Sequence, residues 1–457
     1  METLSDRLAR FAAGLRFEDI PGQVVEKAKL HILDALGIGL AAQREPYAKS
    51  ITALVREWGG SPQAALWGTG ERLPAAHAAL ANGSYVHGLD FDDTHTGSIT
   101  HVSACVVPAA LAAGEAAGAS GKEILAAMVA GYEITARVGG AAPGAFHEKG
   151  YHATPICGAF GAAAIAGKLL GLTPEQIAHA LGTVGSQAAG IQEFLDDGSW
   201  AKRLHPGWAA HAGIAAAQLA RHGFLGPRKV FEGRFGLYAT HLKEPAFDAE
   251  ALAGGLGERW ETLRISFKPY PCCHFNHAAM DAARKLVRDM GARPEEIEEI
   301  EAVVPEPVVP ITCEPIEHKR RPNTPYAALF SLPYCVAVSV LRGGAALEDF
   351  EEESLGDPAV LALAAKVRCT GVASSRFPQY LHGAARVRLS GGRTAGREEP
   401  VNWGNPENPM RREDVEAKFR RNAARALSPG KCEAVVAAVM GLDRAPDASA
   451  LVAALKE

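Results

Sequence analysis

The sequence predicts a mostly α-helical protein, with a large all-helical domain built from both chain ends and a smaller α+β domain. Three observations predict it. Ala-rich stretches with apolar residues at i, i+3 and i+4 recur through residue 262. From residue 263 the pattern turns to short extended runs mixed with helix, and after residue 400 it returns to helix. The expected domains are therefore residues 1–262 with 401–457, and residues 263–400.

The elements follow in order. Apolar spacing predicts helices at 24–42, 101–118, 122–138 and 208–222. Ser120 with Glu123, and Thr173 with Gln176, have capping-box spacing, and Pro174 stands at the first helical position after Thr173. These helices are so rich in Ala and Gly that they must pack nearly backbone to backbone. In the middle segment IEEIEAVVPEPVVPI has a strand-like core, and ARVRLSGGRTAG reads as a hairpin turning at Gly391 and Gly392. Residues 325–342 and 346–367 read as helix, and the Glu-rich patches at 295–301 and 351–353 as solvated helix faces. GNPENPM leads into the last helical segment, which is expected to pack back on the first domain.

Composition excludes several function classes. The 457 residues are 47% hydrophobic and 22% charged with a net charge of −5, enough apolar material for one large core or two domains and too much for disorder. The longest basic run is Lys319, Arg320 and Arg321, which leaves no footprint for nucleic acid. Eight scattered cysteines without a CxxC pair read as the reduced thiols of a cytoplasmic protein. The N-terminus is charged from its second residue and lacks a signal peptide's apolar stretch. The apolar run 326–341 falls short of the roughly 20 residues that span a bilayer, and Pro333 interrupts it, so it reads as a buried core helix. No GxGxxG follows a strand, and neither GxxxxGK[ST] nor GxSxG occurs, so no nucleotide cofactor is expected.

Five segments carry the candidate chemistry. HGLDFDDTHTGSITH, residues 87–101, concentrates His87, Asp90, Asp92, Asp93, Thr94, His95 and His101. Carboxylates serve as bases, and imidazoles titrate near neutrality and shuttle protons. The same residue types also bind metals, though no familiar ligand spacing is present. HEKGYH, residues 147–152, places its histidines five apart, off a shared helix face. GYHATPICGAFG puts His152 just before Thr154-Pro155, a helix start that suits a carboxylate. WAKRLHPGWAAH sets Lys202, Arg203 and His205 ahead of a helix expected to begin near Gly207. KPYPCCHFNHAAMDAA brings Lys268, Cys273, His274 and His277 close in sequence, where a Cys–His nucleophile is one reading. Tyr334 in FSLPYCVA could donate a phenolic proton, or simply fill core.

In this order, LDFDDTH, YHAT, AKRLH, KPYPCC, FSLPY and NPENPM resemble the MmgE/PrpD family, which includes 2-methylcitrate dehydratase, cis-aconitate decarboxylase and iminodisuccinate epimerase. The resemblance runs along nearly the whole chain. It implies the same two-part fold, usually as a homodimer, with an active site between the domains and no cofactor or metal. By motif position it implies catalytic roles for Asp90, His101, His152, Lys202 and Tyr334, and substrate-binding roles for Thr94, Lys268, Cys273, His274 and His277. Relatives that decarboxylate cis-aconitate carry His where Cys273 stands here, with His274 one place later. Epimerase-like relatives carry a Cys there and a pair like Asn276-His277.

The resulting expectation is a cofactor-independent lyase or isomerase that removes a proton next to a carboxylate of a small di- or tricarboxylate. A 2-methylcitrate dehydratase-type hydro-lyase comes first, with epimerisation and decarboxylation as alternatives. A metal-dependent hydrolase using His87, Asp90, Asp93, His95 and His101 is the reading from a different class.

Overall fold

The computed structural model describes residues 2–244, 246–373, 377 and 380–457, and most of this chain is helical with few strands. It forms two compact units, Met1–Ile265 with Arg411–Glu457, and Ser266–Met410. Among the described residues no helix is long and apolar enough to cross a membrane.

The first unit is built on α1 (Gly22–Ala42), α2 (Ala75–His87), α3 (Val102–Ala117), α4 (Gly121–Gly140), α5 (Ala153–Leu169) and α6 (Ala201–Arg221). Every residue of α5 from Ala153 to Gly167 is buried, because α3, α4 and α6 surround it. A helix apolar on all sides has nowhere else to go. Small residues let the backbones meet. A Cβ on Gly83 of α2 would fall 2.8 Å from the Ala104 carbonyl oxygen of α3, and one on Gly207 of α6 would fall 2.0 Å from the Leu80 carbonyl oxygen.

Both expected capping boxes form. Glu123 N–H donates to Ser120 Oγ at 3.3 Å and Ser120 N–H to Glu123 Oε2 at 2.8 Å; Thr173 and Gln176 repeat the arrangement. α6 departs from the expected start, beginning at Ala201 with Pro206 inside it. Lys202, Arg203 and His205 are thus on the helix rather than ahead of it. The proline misleads because a residue without an N–H usually marks a helix's first turn, whereas Pro206 stands at the sixth helical position.

The C-terminal helix Arg412–Ala423 returns to pack on α1. Its Lys418 is buried and sits 2.7 Å from Asp34 Oδ1 of α1. Lys418 Nζ also donates to the Phe91 carbonyl at 3.0 Å. Burial raises the Asp34 carboxyl to about 6, against the pull of Lys418.

The second unit holds a four-stranded sheet: β1 (Ile297–Pro305), β2 (Val367–Val372), β3 (Gly383–Leu389) and β4 (Thr394–Glu399), in the order β2-β1-β3-β4. β1 is parallel to β2 and antiparallel to β3. The expected hairpin is β3–β4, and Gly392 takes φ 76° in its turn. Helix α7 (His277–Asp289) packs on β3 and β4, and α8 (Leu332–Arg342) packs on α7. Three expectations are corrected here. The Glu-rich run at 295–301 lies mostly on β1, where a register shift between Ile297 and Glu299 breaks the alternation that marks a strand. Residues 346–367 hold only short helical turns and the helix Pro358–Ala364 before β2 begins. The run 326–341 is two helices, because Ser331 caps α8 by accepting from Tyr334 N–H at 3.1 Å.

Removing one partner of a buried ion pair typically costs about 3–5 kcal/mol. Lys418→Met should therefore lower the urea midpoint sharply at about pH 8, and less at about pH 5, where the orphaned Asp34 takes up a proton. An unchanged midpoint at both pH values would show that the pair carries no stability.

Candidate active site

The segment between α2 and α3 is polar and almost wholly buried, from Asp90 through Thr94 and His95. Each charge has an assigned partner. Asp93 Oδ2 lies 2.6 Å from His31 Nδ1 of α1 and accepts from the Ser103 hydroxyl, while Asp93 Oδ1 accepts from Ser103 N–H at 3.0 Å. Burial works against the Asp93 charge, yet His31 and Ser103 outweigh it and hold the carboxyl below its usual value. His95 bonds Ser98 Oγ at 2.8 Å and Glu261 Oε2 at 3.3 Å. Burial raises Glu261, but His95, Arg264 and Arg137 hold it down to about 2.

Asp90 faces another direction. Its φ is 51°, in the left-handed region that few residues other than Gly enter. Lys202 Nζ of α6 donates to its Oδ1 at 2.9 Å. Strained backbone of this kind gathers where geometry is imposed for a purpose.

Beside this pair four histidines converge. His101 is the N-cap residue of α3 and His152 that of α5. Their ring centroids are 6.3 Å apart, and His87, at the end of α2, lies 4.8 Å from His101 and 5.4 Å from His152. His152 Nδ1 is 3.1 Å from His205 Nδ1 of α6, so one ring donates to the other. Asp92 stands between His87 Nδ1, at 2.8 Å, and His101 Nδ1, at 3.5 Å. Burial pushes the His152 imidazole well below its ordinary value, with His87, Lys202, His205 and His101 adding to the shift. Burial also lowers His205 and His147 to about 4. The result is a set of neutral imidazoles next to one ammonium group, at the positive ends of two long helices. Such a place attracts a carboxylate and offers it a base.

Of the catalytic residues expected from sequence, Asp90, His101, His152 and Lys202 thus fall together in the first unit. Thr94 is buried and opens the short strand Thr94–His95. The five-residue metal set is not assembled: Asp90 goes to Lys202, Asp93 to His31 and His95 to Glu261.

The second unit holds the other group. Lys268, Cys273, His274 and His277 are all buried. The His274 and His277 rings are 4.9 Å apart; Asn402 Nδ2 is 2.8 Å from His274 Nε2, and His277 Nε2 is 3.2 Å from the Cys272 carbonyl. Tyr334 is fully buried on α8, and its hydroxyl donates to the Asp349 carbonyl at 2.8 Å. Burial raises its phenol to about 12. Its hydroxyl hydrogen is engaged by that carbonyl.

Sequence reasoning missed His31, Asp34 and Lys418. The first two carry a signal, being polar residues three apart inside the apolar stripe of α1. Lys418, on a charged surface-like helix, carries none.

Known proteins resemble this chain along its length. The sequence model of the MmgE/PrpD N-terminal domain matches residues 6–250, and that of the MmgE/PrpD C-terminal domain matches residues 270–443. A cis-aconitate decarboxylase of Aspergillus terreus is 28% identical over 98% of this chain and 95% of its own length. The human cis-aconitate decarboxylase is 28% identical over 100% of this chain and 95% of its own length. The 2-methylcitrate dehydratase of Salmonella typhimurium is 27% identical over 74% of this chain and 71% of its own length.

The left-handed conformation of Asp90 gives a test of the turn that is independent of chemistry. A β-branched residue there costs about 1–2 kcal/mol relative to Gly. Asp90→Val should therefore melt below Asp90→Gly. Equal melting temperatures would mean the strained turn does not persist in solution.

Proposed function

The chain belongs to the MmgE/PrpD family, and from that premise we propose that it is a cofactor-independent lyase acting on a small polycarboxylate of the cis-aconitate and 2-methylcitrate kind. The observation that carries this reading is the neutral, buried His152 imidazole at a helix N-terminus, close to the Lys202–Asp90 pair. Decarboxylation and dehydration share one difficulty. Each develops an electron pair on a carbon next to a carboxylate, an enolate-like charge that water alone stabilises poorly. Lys202 and the N-termini of α3 and α5 are preorganised positive ends for that charge.

In decarboxylation the C–C bond to the departing carboxylate breaks, carbon dioxide leaves, and its electron pair passes into the remaining conjugated carboxylate. A proton then closes the valence at carbon. In dehydration a base removes the carbon-bound proton, and an acid gives a proton to the leaving hydroxide, which departs as water. His152 handles the proton at carbon in both cases. A buried imidazole with a lowered pKa stays unprotonated and so is available as a base, and once protonated it is a strong acid. His205, sharing a hydrogen bond with His152, relays the proton, and His101 with Asp92 supplies the second one. Asp90 keeps Lys202 charged and oriented. Thr94, Lys268, Cys273, His274 and His277 are proposed to bind the substrate, following the family reading.

Decarboxylation comes first because relatives bearing that name align over almost all of this chain, whereas the dehydratase aligns over 74% of it. The hydro-lyase is the second reading, and Cys273, a Cys as in epimerase-like relatives, keeps epimerisation as the third. The protein is proposed to act as a homodimer in the cytoplasm.

Purified protein in deuterated buffer, followed by proton NMR with cis-aconitate, 2-methylcitrate, citrate and iminodisuccinate, separates these reactions. Loss of carbon dioxide with deuterium at carbon supports decarboxylation; a new alkene from 2-methylcitrate supports the hydro-lyase; exchange alone supports epimerisation. His152→Ala should lose about 10²–10⁴-fold in turnover while keeping its circular dichroism spectrum. Where His152 removes a proton, as in dehydration, the wild-type acid limb of kcat/KM should lie below pH 6.5, since burial and neighbouring positive groups lower its pKa well below that value. Near-normal turnover in His152→Ala would remove it from the chemistry.

A further inference from the structure

Three side chains of the polar segment do more than hydrogen-bond. One donor atom from each of His87, Asp92 and His101 lies within 4.8 Å of the others. His87 Nδ1 is 2.8 Å from Asp92 Oδ2, and His101 Nδ1 is 3.5 Å from Asp92 Oδ1. Zinc–nitrogen and zinc–oxygen bonds of about 2.0–2.2 Å place neighbouring ligands on one ion roughly 3–3.5 Å apart. The two separations, one to each oxygen of Asp92, are of that size. The imidazole planes of His87 and His101 meet at 64° with centroids 4.8 Å apart, so the rings sit edge to face rather than flat on each other.

The frame is rigid. His87 ends α2, His101 caps α3, and Asp92 is flanked by Phe91, whose carbonyl is bound by Lys418, and by Asp93, which is bound by His31 and Ser103. His87 and Asp92 are buried, while the His101 side chain keeps 15% of its surface exposed. That leaves an approach for an ion from one side and open coordination positions once it is bound.

We propose that His87, Asp92 and His101 form a binding site for one divalent transition-metal ion, and that an ion held there inhibits the enzyme. Two imidazoles with one carboxylate select the zinc, cobalt and nickel class over magnesium or calcium, which prefer all-oxygen sets. Binding replaces the Nδ1–H contacts to Asp92 with metal–ligand bonds, and the displaced protons go to solvent. His101 can then no longer exchange the second proton of the reaction. The inhibition rests on the function proposed above; the binding does not.

The full chain, freed of metal by chelator and dialysis, is titrated with cobalt(II) by visible spectroscopy and with zinc(II) by calorimetry. One ion per chain, with cobalt ligand-field bands of low coordination number, is expected. His101→Gln and Asp92→Asn should each weaken binding by more than about 100-fold, exceeding what outer-shell changes do, while His147→Gln, a nearby half-buried imidazole outside the trio, should leave it unchanged. His101→Gln is the safer of the first two for folding because that ring is partly exposed. No binding by the wild type, or equal binding by His101→Gln, overturns the site. Wild-type binding that leaves turnover of the identified substrate unaltered overturns the inhibitory role alone. If no polycarboxylate is turned over, the calorimetric arm still decides the site while the proposed function falls.

Discussion

The polar segment Asp90–His95 is buried inside an alanine-rich bundle, and its burial is the constraint on which the site depends. An ionised carboxylate taken out of water is strongly destabilising unless partners replace the lost hydration. The fold provides them from places far apart in sequence: His31 on α1, Ser103 on α3 and Lys202 on α6 serve its carboxylates, and Lys418 near the C-terminus binds its Phe91 carbonyl. This explains why the C-terminal segment belongs to the first unit. Lys418 binds both a carboxylate of α1 and the Phe91 carbonyl within the segment itself. The chain end thus acts as a brace for residues encoded more than three hundred positions earlier.

The same low-dielectric surroundings set the protonation of the site. Imidazoles that would be half-charged near neutrality in water are held neutral, because burial disfavours their cations and Lys202 stands nearby. Asp90 accepts from Lys202 at 2.9 Å, so the ammonium group is held in place by a carboxylate. Helix N-termini at His101 and His152 add fixed partial charge without adding a group that can titrate. Neutral bases beside a stable cation are what enolate-like chemistry asks for: the cation holds the anion, and the bases stay free to take its proton.

Much of the helical framework could be read from sequence because its signals are local. The capping boxes at Ser120 and Thr173 and the i, i+4 stripes of α1, α3 and α4 depend only on neighbours along the chain. What failed depends on contacts across it. β2 is an edge strand paired in parallel with β1, and nothing in VRCTGV separates it from the helix before it. The start of α6 was hidden by Pro206, a residue permitted in two places. The motifs drew attention to Asp90, His101, His152 and Lys202, but not to what each would bond. His205 as partner of His152, and Asp92 as the link between His87 and His101, needed the fold.

Tyr334 illustrates how the two kinds of information separate. Its motif places it among proton donors, and its residue type permits that role. In the second unit, however, its hydroxyl is bound to the Asp349 carbonyl, and burial raises its pKa further from neutrality. A phenol that must first break a buried hydrogen bond is a poorer donor than an imidazolium. In the function proposed here the proton is carried by the histidines of the first unit. There His152 and His205 share a hydrogen bond between two groups of one chemical kind, along which a proton can pass. Pairing of like groups, rather than the presence of any one acidic side chain, is the feature on which that proposal rests.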